Sequence, residues 1–83
     1  MKYQDGKRVR LGDTVLLAGG ALGSVVCSLD DDEYSADFTR EEWAYLEKGV
    51  LIETSEMGLL HHSEETASFS LIKAAPALRQ GDP

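Results

Sequence analysis

The sequence predicts a mainly β fold: a small bent barrel of five to six antiparallel strands carrying one short helix, about Arg40 to Lys48. Three observations predict it. Residues Val9 to Leu29 read as strand, Gly12-Asp13 turn, strand, glycine-rich loop Gly19-Gly20-Ala21-Leu22-Gly23, and returning apolar strand. Further apolar runs at Val50 to Thr54, Leu59 to His62 and Ser68 to Ala74 have strand length and are bounded by turn signals. Only the stretch from Phe38 to Gly49 carries both start and stop signals of a helix.

Taken in order, Arg8 to Leu11 is a short strand with Val9 and Leu11 on one face and Arg8 and Arg10 on the other. Gly12-Asp13 is a turn, because glycine tolerates positive φ and aspartate bonds nearby backbone. Val15 and Leu17 alternate with Thr14 and Leu16 along the next strand. Ser24 to Leu29 follows, with Val25, Cys27 and Leu29 pointing one way and Val26 and Ser28 the other. The acidic run Asp30-Asp31-Asp32-Glu33 ends that strand as a solvated turn.

In the helix, Thr39 and Glu42 have the spacing of a capping box, and Phe38 and Trp43 that of a hydrophobic staple. Glu41 and Glu42 stand at the positive end of the helix dipole, Lys48 at the negative end, and Gly49 stops the helix. Val50 and Ile52 point inward on the following strand, Ser55-Glu56-Met57-Gly58 turns the chain, and Leu59 to His62 returns. Along Ser68 to Ala74, Phe69 and Leu71 share a face opposite Ile72. One domain over residues 1–74 and a loose tail over 75–83 complete the organisation.

Composition bounds the function. Eighty-three residues make a single small core, and no apolar run reaches the roughly 18 residues of a membrane span. The opening residues lack a secretory signal, and a lone Cys27 cannot form an internal disulfide, so the expected address is cytoplasmic. The net charge of −7 is uneven: Lys2, Lys7, Arg8 and Arg10 crowd the start, whereas residues 30–65 carry twelve acids against Arg40 and Lys48. Such a surface repels phosphate backbones and attracts a basic protein.

No motif for catalysis emerges. The glycine-rich loop leads into Val25-Val26 rather than a helix and lacks the Lys-Ser/Thr of a phosphate loop, so it connects a hairpin. His61 and His62 are adjacent on a strand and point to opposite faces, which makes them poor joint ligands for a metal. Cys27 alternates with Val25 and Leu29 as a core thiol, no nucleophile elbow is present, and no cofactor site is expected. The chemistry-bearing feature is instead the interleaving of aromatic and acidic residues from 31 to 45. Phe38 and Trp43 serve the core, while Tyr34 and Tyr45, rimmed by Asp31, Asp32, Glu33, Asp37 and Glu41, form the expected protein-binding surface.

The hydrophobic and turn positions form a set: Val9-Xaa-Leu11-Gly12-Asp13-Xaa-Val15, Tyr34-Ser35-Xaa-Xaa-Phe38-Thr39, Trp43-Xaa-Tyr45-Leu46-Xaa-Xaa-Gly49-Val50-Leu51-Ile52 and Gly58-Leu59-Leu60-His61. This set resembles small bacterial proteins with Src-homology-3-like barrels met near type VI secretion and polymorphic-toxin loci. The resemblance covers most of residues 1–62 and implies a toxin-neutralising, immunity-type or accessory binding protein, with a basic toxin as partner and no enzymatic activity. Two alternatives stand beside it. One is a nucleic-acid or ribosome-associated barrel using Lys7, Arg8 and Arg10, which the acidic balance disfavours; the other is a structural homodimer paired through an open edge strand.

Overall fold

A computed structural model describes residues 1–75 of the chain. Six antiparallel strands form one sheet: β1 (Thr14–Leu16), β2 (Leu22–Ser28), β3 (Glu33–Tyr34), β4 (Val50–Thr54), β5 (Gly58–His62) and β6 (Ser70–Lys73). A single α-helical turn, α1 (Arg40–Trp43), stands between β3 and β4. The fold is therefore mainly β with one short helix, as expected. The strand path is open, running β5-β4-β2-β1-β6, and β3 pairs with the end of β2 that β1 leaves uncovered. Among the described residues no helix is long and apolar enough to cross a membrane.

The alternation read from the sequence builds the main core. Val9, Val15, Val25, Val50 and Ile52 lose essentially all exposure, joined by Tyr3, Leu17, Ala67 and Phe69. Leu60 and Leu71 pack against them from the two edge strands. Gly23 ends the glycine-rich hairpin loop opposite Val15 and Thr54, where a Cβ would come 2.6 Å from Ile52 Cγ2. The loop thus serves packing as well as reversal.

Residues 8–11 do not form a strand. Lys2 makes single bridges to Arg8 and Thr66, and the chain between closes as a tight loop through Tyr3 N to Lys7 O (2.8 Å) and Gly6 N to Tyr3 O (2.9 Å). Asp13 explains the shape. Its buried carboxylate accepts from the Tyr3 hydroxyl (2.6 Å), the Arg10 amide (3.0 Å) and the Ala75 amide (2.8 Å), so the Arg10 backbone turns toward a side chain instead of a neighbouring strand. Burial, then the Asp13 hydrogen bond and charge, raise the Tyr3 phenol above its ordinary range. The expected tail begins at Ala75, which is tied to Asp13; the rest of it lies outside the described residues.

Three further readings change. In β2 the register to β4 slips between Val25 and Cys27, which reverses the side-chain parity beyond that point. Cys27 consequently pairs with Leu51, and both are buried apart from the main core, while Ser28 pairs with Val50. The helix ends early: α1 gives way to a 3-10 turn at Ala44–Leu46, and Glu47 adopts φ 72°. Thr39 makes no side-chain cap; its carbonyl instead receives the Glu42 and Trp43 amides at 3.1 and 3.0 Å. The expected staple does form, with the Phe38 and Trp43 rings 6.0 Å apart. The acidic run does form the expected turn, over residues 29–32 with Asp30 and Asp32 exposed, and each of its acids is in addition engaged by the fold.

Candidate protein-binding surface

The acidic run folds back onto cations brought from elsewhere in the sequence. Asp30 Oδ2 lies 2.8 Å from the amino-terminal nitrogen, Asp31 2.9 Å from Arg8, and Glu33 2.6 Å from Arg10, while Asp32 pairs with Arg40. Two of these carboxylates also hold backbone: Asp30 Oδ1 accepts the Gly49 amide at 3.0 Å and Glu33 Oε1 the Leu11 amide at 3.1 Å. Burial opposes ionisation of Asp30, but the amino-terminal hydrogen bond, the Gly49 amide and nearby positive charge outweigh it and hold its pKa below the ordinary value. The hydrogen bond to Glu33, then its charge, raises the Arg10 pKa. Solvent-exposed pairs of this kind contribute about 0–1 kcal/mol each. The captured amides are what fix the turn.

The second half of the acidic stretch is built differently. Tyr34 is half-buried and carries the Arg40 guanidinium 5.4 Å from its ring centroid. From Phe38 the aromatic contact continues to Trp43, and from Trp43 to Tyr45, whose rings stack at 6.3 Å with an interplanar angle of 23°. Phe38 and Trp43 are half-buried and Tyr45 is 71% exposed. This ledge stands against the sheet face opposite the main core, where the Cys27 thiol donates to the Phe38 carbonyl at 3.2 Å. Burial pushes the Cys27 thiol up, only partly offset by a hydrogen bond that its sulfur accepts from the Ser35 backbone. Trp43 Nε1 is buried with no partner among the described residues. Asp37, Glu41 and Glu42 are exposed along the ledge and form no salt bridge among the described residues.

The expected site is therefore brought together as two parts. Asp31, Asp32 and Glu33 sit at the clasp with Arg8, Arg40 and Arg10, whereas Tyr45, Asp37 and Glu41 present outward. Tyr34 lies at the boundary, linked through Arg40 to Asp32. Sequence reasoning missed the role of Arg40 in joining the parts; its aromatic neighbour six positions earlier was the available signal. Of the basic patch proposed for phosphate, Arg8 and Arg10 are engaged in ion pairs.

The histidines have separate surroundings. His61 Nε2 lies 2.9 Å from the Lys48 carbonyl oxygen, while His62 packs its ring on Phe69 at 5.2 Å and approaches Glu64 at 3.1 Å. Among the described residues no group of three potential metal ligands converges. One open groove of about 450 Å³ runs over Thr14, Ser24 and Glu53, and another of about 360 Å³ over Tyr3, Asp5, Lys7 and Leu71. Neither groove is lined by histidine or cysteine. No family model, curated protein or solved structure matches the chain.

Proposed function

We propose that this protein is a non-catalytic binding module that engages a basic protein partner through the ledge formed by Tyr45, Asp37, Glu41 and Glu42. The reading goes one step further to an immunity-type role, in which the acidic module covers a cationic toxin surface. The observation that carries it is Tyr45: a large aromatic ring stacked on Trp43 and 71% exposed, following the exposed Glu41 and Glu42 by four and three positions. Stacking pre-orders the ring before a partner arrives, which lowers the entropy cost of using it as an anchor. Asp37, Glu41 and Glu42, which form no salt bridge among the described residues, steer and orient a positively charged surface.

The test places a photo-crosslinking phenylalanine analogue at position 45 and recovers the adduct from the source cells. The expected product is one basic protein, lost when Glu41→Lys is added and weakened by salt. Recovery of no adduct, or of one indifferent to Glu41→Lys, would reject the reading.

A further inference from the structure

The open sheet has two edges, and they are protected unequally. β6 is short, carries Lys73 at its end, and its ladder to β1 breaks register around Ile72, all features that discourage a further strand. β5 has none of these. Its five residues run in unbroken register with β4 and include no lysine, proline or bulge. Among the described residues, no hydrogen bond outside the β4–β5 ladder uses the backbone of Leu59, Leu60 or His61. Leu59 is 37% exposed beside Met57 at 49%.

We propose that β5 pairs antiparallel with β5 of a second copy of this chain, making a two-fold dimer with one continuous sheet. The occupant follows from charge and closure. Leu59, Leu60, His61 and His62 carry no carboxylate, so self-pairing sets no acidic residues against each other within the strand despite a net charge of −7. For the same reason β5 offers no anionic side chain to the basic partner that suits the ledge. An isologous β5 pair also consumes both unprotected five-residue edges, leaving outside only the guarded β6 edges and the two-residue β3, so assembly stops at two copies.

Sedimentation equilibrium on the full chain from about 10 μM to 1 mM reads the dimer directly. The expected mass rises from one chain toward two, and Leu59→Lys weakens association at least about tenfold while Ile72→Lys on β6 leaves it unchanged. Hydrogen exchange on the unaltered chain supplies a readout independent of any variant: β5 amides gain protection with concentration and β6 amides do not. A single-chain mass throughout, a dimer insensitive to Leu59→Lys, or concentration-dependent protection at β6 instead would overturn the proposal.

Discussion

Residues 30–33 and residues 37–45 are both acidic stretches, separated by a few positions, yet the fold uses them in different ways. The first forms a clasp, with Asp31, Asp32 and Glu33 each answered by an arginine and with two backbone amides captured by Asp30 and Glu33. The second is a ledge whose carboxylates reach water and whose outermost ring, Tyr45, is mostly uncovered. The difference lies in the supply of cations. The loop before β1 delivers Arg8 and Arg10 to the clasp, and nothing comparable crosses the ledge among the described residues. Local acidity is thus a poor guide to a binding surface until the neutralising partners are located.

Gly49 is where the two regions meet, so its replacement should break both at once. It follows the ledge with φ 93°, donates its amide to Asp30 and accepts the Leu29 amide through its carbonyl. A Cβ there would overlap the His62 carbonyl. Gly49→Ala should cost about 3 kcal/mol or more through strain and overpacking, read as a lower urea midpoint.

Glu33→Ala sharpens the distinction at intermediate size. It removes the Glu33 hydrogen bonds to the Leu11 amide and to Arg10 together, and the expected loss is about 1–2 kcal/mol. Affinity for the ledge partner should change little.

Acid provides a third separation. Asp30 is held below its ordinary value of 3.8, with burial opposing and the amino terminus, Gly49 amide and nearby charge prevailing. Glu64 is held below 4.5, where burial is again outweighed by a backbone hydrogen bond and by His62 and Ser68. Because both folded values are depressed, their stabilisation is complete above the ordinary values and is lost as pH falls through the folded ones. Urea midpoints should therefore decline below about pH 4.5, and Asp30→Asn should show a smaller decline than the unaltered protein.

The smallest stability effect belongs to the ledge. Tyr45→Ala should shift folding free energy by no more than about 0.5 kcal/mol, while partner affinity drops by at least about tenfold in a titration.

Much of this architecture was legible along the chain because the main core is filled from alternate strand positions. Val15 with Leu17, Val50 with Ile52, and Phe69 with Leu71 declared their faces, and the Phe38–Trp43 staple followed from spacing alone. What escaped depended on contacts between distant residues. The bulge that turns Cys27 away from Val25 is set by pairing with β4, and the loss of a strand at 8–11 by the Asp13 carboxylate collecting Tyr3 and Arg10. The open path β5-β4-β2-β1-β6 likewise has no local signature, because it depends on which strands pair. At the site, the aromatic and acidic content was visible, but the one-to-one matching of Asp31, Asp32 and Glu33 to arginines spans 8 to 23 positions and has no local signature.

The most direct measurement pairs stability with affinity for two charge reversals of equal size, Glu33→Lys and Glu41→Lys, against the protein captured at position 45. A structural clasp beside a recognition ledge predicts that Glu33→Lys lowers the urea midpoint and keeps affinity, and that Glu41→Lys does the reverse. Normal binding by Glu41→Lys, together with lost binding at unchanged stability for Glu33→Lys, would contradict it.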